Sequence, residues 1–279
     1  MLRHTILFTV DIEDWFTDGR QIQIDSWDNY ELTLEAKVHA LLALLSKHNA
    51  KATFFVLGWI ARKKPSLIQE IYACGHEIAS HSYSHELVYT LSKEKFKNDT
   101  RKSKQLLEDI VGAEVTGYRA PCFSITPWAL DILQNEGYAY DSSIVPATFH
   151  DLYSKLYKKV EQPCFEIGQG FWEISLPALS AGSINIPWGG GGYFRLYPYR
   201  LFQYGVRKVV ASKGAYTFYI HPYDLDPNQP RRTDYSLLNR LRRYYGLSLA
   251  QDKLDKLLGQ FACTSITDHY PFLKKANNG

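Results

Sequence analysis

What this sequence lacks excludes several classes at once. Its four cysteines, Cys74, Cys122, Cys164 and Cys263, fall in no C-x-x-C spacing and lie in apolar or strand-like surroundings. They read as buried reduced thiols rather than a disulfide framework or a thiolate metal site. No apolar run reaches the roughly eighteen residues a membrane-crossing helix needs. No charged segment followed by an apolar one precedes the first strand pattern, so the expectation is a soluble, cytoplasmic chain. Charge of one sign is also scarce: the net charge is +3 over 279 residues. Arg231-Arg232 and the Arg240 to Arg243 cluster are too small for a nucleic-acid footprint and read as solvated surface. The glycine run Gly189 to Gly192 matches neither G-x-G-x-x-G nor G-x-x-x-x-G-K-[ST], which excludes a phosphate loop. It still lets a backbone approach a ligand closely. No internal repeat, linker or low-complexity tract appears, so one domain over residues 1–279 is expected.

Aromatics are abundant: 14% of the chain, with twenty tyrosines and six tryptophans. Such a composition suits stacking on sugar rings. The apolar run Ile6 to Val10 ends abruptly in Asp11, as a buried parallel strand does at the end where α/β active sites lie. Apolar spacing predicts a helix from about Leu32 to His48, then a strand Ala52 to Val56. Pro65 opens the next helix and Gly75 closes it; His76 to Ala79 is a third strand. Ser92 is placed to cap a helix that runs to Val111 and closes at Gly112. Val115 to Tyr118 is a fourth strand, and Thr126-Pro127 opens a helix that ends at Gly137. From Ile144 to Gly170 the periodicity fails, which predicts an excursion. A strand Phe171 to Leu176, a helix Pro198 to Ser212, a strand Tyr216 to Ile220, a helix Leu249 to Leu258 and a strand Phe261 to Ile266 complete the alternation. Strand and helix in turn, with polar residues at strand ends, argue for a parallel α/β barrel.

Five short stretches sit at those strand ends. His81 and His85, four apart, can share one side of a helical turn. A carboxylate from another strand end would complete a facial two-histidine, one-carboxylate metal site. Asp11, Glu13 and Asp14 supply carboxylates; a solvated turn or a helix cap is the plainer reading, but a buried strand end rarely carries unpaired charge. Arg119 can pair with a surface acid or orient a catalytic carboxylate. Asp141-Ser142-Ser143 follows Tyr138-Ala139-Tyr140. His221, after a very apolar strand and before Pro222, is either a hydrogen-bonded core histidine or a general acid.

Taken in order, these five motifs resemble the polysaccharide deacetylases of carbohydrate esterase family four, the NodB-homology hydrolases. The stretches Asp-Ile-Glu-Asp-Trp-Phe, Arg-Ala-Pro-Cys-Phe-Ser and Gly-Gly-Tyr-Phe-Arg-Leu are similar to a branch with allantoinase-like, peptidoglycan deacetylase-like and exosortase-locus exopolysaccharide members. The resemblance implies a single distorted (β/α)7 barrel. It makes Asp11 the base, Arg119 its partner and His221 the acid. It makes Asp14, His81 and His85 the metal ligands, with Glu13 as the alternative carboxylate, because the two adjacent aspartates of the family motif are here split by Ile12-Glu13. It further implies a divalent ion, zinc with cobalt or nickel as alternatives, and an N-acetylated glycan or glycan precursor as substrate. Cys122-Phe123 replaces the family's aromatic-glycine pair, leaving the Cys122 N–H to serve an oxyanion. Trp188, Tyr193 and Phe194 are the expected substrate wall. Two rivals stand beside this reading: an allantoinase-like cyclic-amide hydrolase and a catalytically silent sugar-binding protein.

Overall fold

The structure, a computed structural model, describes residues 5–17, 22–146, 162–181, 184–232 and 235–274. The first half alternates as expected: β1 (Thr5–Ile12), α1 (Leu34–Lys47), β2 (Thr53–Val56), α2 (Gly58–Lys63), α3 (Pro65–Ala73), β3 (Glu77–Ser80), α4 (Lys93–Val111), β4 (Gly117–Tyr118), α5 (Pro127–Asn135) and β5 (Tyr140–Asp141). There follow β6 (Cys164–Gly168), β7 (Phe171–Ile174), β8 (Ala178–Ala181) and β9 (Ile184–Pro187). The chain continues with α6 (Gly191–Leu196), α7 (Tyr199–Lys213), β10 (Tyr216–Ile220), α8 (Leu237–Tyr244), α9 (Ala250–Gln260), β11 (Ala262–Thr264) and α10 (Ile266–His269).

Strands β10, β1, β2, β3, β4, β5 and β7 lie side by side in that order, all parallel. β11 pairs the first residues of β1, and β6 runs antiparallel along β7. The sheet with its surrounding helices is a half-barrel. Among the described residues no ladder joins β7 to β10; the seam is bridged by the Thr217 hydroxyl, which donates to the Ser175 carbonyl at 3.1 Å. That seam is the distortion of the expected (β/α)7 barrel.

Strand period explains which residues reach the site. Ile6, Phe8, Val10 and Ile12 pack in the large cluster shared with the helices, whereas Leu7 joins Phe55, Ala79, Tyr140 and Ile174 in a second cluster. Side chains alternate across a strand, so the parity of Leu7 leads on through Thr9 to Asp11. The helices close as their end residues dictate. The Ser92 hydroxyl accepts the Lys95 N–H, and Gly112, at φ 68°, takes the left-handed turn that a Cβ would strain.

Three elements depart from the sequence expectation. α2 follows β2 almost directly, α6 grows out of the glycine run, and α8 arises within the basic stretch after His221. Of the expected excursion 144–170, residues 147–161 lie outside the described residues, while 164–168 form β6.

Candidate active site

Glu13 gathers the histidines. Its Oε1 lies 2.9 Å from His81 Nε2 and 2.9 Å from His85 Nε2, and all three side chains are buried. The three candidate ligand atoms lie within 4.8 Å of one another. His81 follows β3 directly, and its Nδ1–H donates to the Arg119 carbonyl at 2.8 Å. That bond leaves Nε2 of a neutral ring as a lone pair facing a carboxylate oxygen. Two acceptors at that distance repel unless a cation or proton lies between them, so the donor set fits a divalent ion. The segment from His81 to His85 is not a helical turn. Ser82 (φ 66°) and His85 (φ 55°) take left-handed backbone, and the Ser82 hydroxyl accepts the His85 N–H. This reversal brings the second imidazole back beside the first. Burial pushes Glu13 up, but His85, His221 and the hydrogen bonds from His81 and His85 overrule it and hold the carboxyl well below its usual range.

Asp11 and Arg119 form the second unit. The Arg119 Nη1 donates to Asp11 Oδ1 at 2.7 Å and to Thr9 Oγ1 at 2.9 Å. Its Nε and Nη2 donate to the Ser142 carbonyl and hydroxyl, and the guanidinium lies 4.0 Å from the centre of the Phe55 ring. Every contact of this arginine is made inside the barrel, where it is fully buried. The planar fork fixes Asp11 by one oxygen and leaves the other, Oδ2, facing His221 Nε2 at 3.8 Å.

His221 is held from behind by Asp224. Its Nδ1–H and its backbone N–H both donate to Asp224 Oδ2, at 3.0 and 2.9 Å. Arg195 Nη2 in turn donates to Asp224 Oδ1 at 2.7 Å. Burial opposes charging His221, yet the carboxylates of Glu13, Asp224 and Asp11 prevail and raise its pKa. Burial would raise Asp224; Arg195 and His221 instead hold it well below the carboxylate range. The glycine run serves this dyad, because a Cβ at Gly191 would collide with the Asp224 carboxylate. Gly189 to Gly192 thus admit the protein's own side chains.

Three expectations need correction. The Asp14 carboxylate is turned away from the histidines and caps the start of α1. Its Oδ2 accepts the backbone N–H of Thr33 (2.5 Å) and Leu34 (3.0 Å), and its Oδ1 accepts the Trp15 N–H and the Thr33 hydroxyl. Trp188 is no substrate wall: its ring is buried, stacks on Tyr197, and donates from Nε1 to the Phe202 carbonyl. Phe194 is buried between Phe202 and Phe218. Cys122 and Tyr193 do line the pocket, together with Asp11, Glu13, His81, His85 and His221. Cys122 sits there in left-handed backbone, at φ 50°. Sequence reasoning missed Asp224 and Arg195. The His221-x-x-Asp224 spacing, a capping-box spacing, was the available signal; Arg195 lies in the Gly-Gly-Tyr-Phe-Arg-Leu stretch, but nothing local directs it to Asp224.

Comparison with known proteins finds a family match for part of this chain. Residues 17–140 match the model for polysaccharide deacetylase. Over those residues the chain is similar to a polysaccharide deacetylase domain. Residues 142–270 match a further domain of unknown function, DUF3473. The chain is 29% identical to a peptidoglycan deacetylase of Helicobacter pylori over 44% of its length, and 29% identical to a peptidoglycan-N-acetylglucosamine deacetylase of Bacillus cereus over 37%. These matches span 42% of each relative. In fold the chain is similar to a Mycobacterium smegmatis protein described as a putative polysaccharide deacetylase. The TM-score is 0.63 at 19% identity, over 96% of this chain and 89% of the other. The deacetylase match holds His81, His85 and Arg119; Asp11 and Glu13 precede it, and His221 with Asp224 falls in the second matched region. Only the folded sheet unites the set.

Beneath the site the barrel buries a second acid pair. Asp141 and Glu173 stand opposite each other on β5 and β7. Glu173 Oε1 accepts the N–H groups of Ser143 and Ile144, and Asp141 Oδ1 accepts the Ser143 hydroxyl. Asp141 Oδ2 and Glu173 Oε2 have no other donor, and one proton held between them satisfies both. Burial raises Asp141 to about 6; burial, with the neighbouring Asp141 carboxylate, carries Glu173 well above the usual range. Folded-state values above the unfolded ones contribute stability at low pH that is lost as pH rises through the folded values. Each proton involved is worth up to ~1.4 kcal/mol per pH unit. Glu173→Gln keeps the acceptor for both N–H groups and gives Asp141 an amide donor. Chemical denaturation at pH 5 and pH 8 is expected to show a smaller alkaline loss in this variant than in the parent, by about 1 kcal/mol or more. An equal loss in both would show that Glu173 does not hold the proton.

Proposed function

We propose that this domain is a metal-dependent N-deacetylase acting on an N-acetylated amino sugar in a glycan or glycan precursor. The observation that carries the reading is convergence: His221 Nε2 lies 3.8 Å from both Asp11 Oδ2 and Glu13 Oε1, at the pocket that His81 and His85 line. Glu13, His81 and His85 would hold the ion; zinc fits this donor set, with cobalt or nickel as substitutes. A bound divalent cation supplies Lewis acidity, polarising an acyl oxygen and bringing the pKa of water to about 7. Asp11, fixed by Arg119, accepts the proton as water adds to the amide carbon. The Cys122 N–H, at the pocket edge, is the candidate donor to the oxyanion. His221, backed by Asp224, gives its Nε2 proton to the sugar nitrogen as the C–N bond breaks, releasing acetate and the free amine.

A silent sugar binder has no use for this oriented acid and base, and the cyclic-amide rival differs only in substrate. Acetate release separates the three. Metal-stripped protein is expected to release acetate from N-acetylglucosamine oligomers, or from lipid- or nucleotide-linked N-acetyl sugars, only after Zn²⁺ or Co²⁺ is restored. Hydrolysis of allantoin without acetate release would favour the cyclic-amide reading. Sugar binding with no turnover under any metal would favour the binder.

A further inference from the structure

Helix α8 is turned inside out. A surface helix ordinarily buries its apolar stripe and exposes its charges, but α8 has no buried residue at all. Leu237, Leu238 and Leu241 are 83%, 74% and 51% exposed, and Tyr245, just beyond the helix, is 51% exposed. At 3.6 residues per turn these four occupy an arc of about 100°. Arg240 flanks that arc on one side and Arg242 on the other. The opposite, polar side is the docked one. Asn239, Arg243 and, from the flank, Arg242 line the pocket mouth, and Arg243 Nε donates to Gln229 Oε1 at 2.9 Å with its guanidinium 3.6 Å from the centre of the Tyr223 ring. The buried Arg195 donates to the carbonyls of Arg242, Arg243 and Tyr245, tying the end of the helix to the Asp224–His221 dyad. The outward apolar face is therefore imposed by hydrogen bonds on the inward face. No acidic residue occurs from Tyr235 to Gln251, while Arg231 and Arg232 precede the helix.

We propose that α8 is an interfacial helix that docks the protein on an anionic lipid bilayer, leucines in the acyl boundary and the flanking arginines on the head groups. An exposed apolar stripe bordered by arginines and free of acids is the pattern that binds such surfaces, and each basic residue near the surface strengthens the attraction. Docked this way, the pocket mouth bordered by Asn239 and Arg243 lies at the edge of the bilayer. The proposal stands apart from the reaction assigned to the pocket.

Flotation of the full chain with lipid vesicles tests it. The protein is expected to float with phosphatidylcholine vesicles containing phosphatidylglycerol, and several-fold less with phosphatidylcholine alone or in high salt. The triple variant Leu237→Gln, Leu238→Gln, Leu241→Gln is expected to lose vesicle binding about tenfold or more, with its melting temperature and its acetate release from a soluble oligosaccharide unchanged. Arg240→Glu, which leaves the leucines in place, is expected to weaken binding to anionic vesicles alone. Failure of the parent to float with anionic vesicles would overturn the proposal, as would equal flotation of parent and triple variant. A parent dimer that the triple variant converts to monomer, without vesicle binding by either, would assign the face to a second copy of the chain and overturn it as well.

Discussion

Glu13→Gln is expected to abolish metal retention and turnover together, whereas Asp14→Asn leaves both intact. The two acids are neighbours in sequence but serve different partners. Glu13 Oε1 is the atom shared by His81 and His85 Nε2. The Asp14 carboxylate is already committed to four donors at the start of α1. Removing the charge from Glu13 leaves two imidazoles, too few to hold a divalent ion against water. Turnover is expected to fall by about 10³-fold or more, since losing a single electrostatic group at a reacting centre already costs roughly 10²–10³-fold. Asp14→Asn keeps a side-chain oxygen for the cap and is expected to cost about 1 kcal/mol of stability through the lost charge at a helix N-terminus. Elemental analysis of the two purified variants, with melting curves and acetate release, checks all three quantities. Metal loss in Asp14→Asn with retention in Glu13→Gln would reverse the ligand assignment.

Asp11→Asn and His221→Ala are each expected to lower turnover by about 10²–10⁴-fold while the ion is retained. They differ in what rescues them. The acid is needed because a sugar amine is a poor leaving group, so an acetyl substrate with a far better leaving group should recover most of the loss in His221→Ala. The base is needed for water to add whatever the leaving group, so the same substrate should not rescue Asp11→Asn. Full rescue of Asp11→Asn, or none of His221→Ala, would overturn the division of labour. Asn at position 11 still accepts from Arg119 but no longer balances its charge. Breaking a buried pair by removing one partner typically costs about 3–5 kcal/mol, so the variant's melting temperature must be measured beside its activity. Asp224→Asn acts through His221. It is expected to weaken turnover less than His221→Ala and to shift the alkaline limb of the pH–rate profile to lower pH, because the imidazolium loses a carboxylate that raises its pKa.

Much of the barrel was legible because its signals are local. Each apolar run ending in an acid, a histidine or an arginine is a parallel strand opening on the site, and the caps Ser92, Pro65 and Gly112 mark helix ends that side chain and backbone decide by themselves. The elements that escaped, α6 and α8, have no apolar periodicity directed at the core. One is built of glycines against Asp224, and the other carries its leucines outward.

The choice between Glu13 and Asp14 sits between these cases. Strand alternation sets Asp11 and Glu13 at one parity and Ile12 and Asp14 at the other, and that signal was present in the sequence. Resemblance to the family's pair of aspartates favoured Asp14, and only the position of α1, whose first N–H groups need an acceptor, shows what Asp14 does instead. Trp188 and Phe194 were misassigned for a related reason. A large aromatic after a strand packs into the core or lines a pocket according to what stands opposite, and here α7 and β10 stand opposite.

The sequence by itself determined the strand–helix alternation, the residues at each strand end and the family they resemble, because hydrophobic period and end chemistry are encoded within a few residues. The tertiary structure alone decided which carboxylate meets the histidines, that Arg195 and Asp224 stand behind His221, and that α8 faces outward. Those facts depend on groups tens to more than two hundred residues apart along the chain, such as His221 and Asp11, meeting within a few ångströms, and no local pattern specifies which of them will meet.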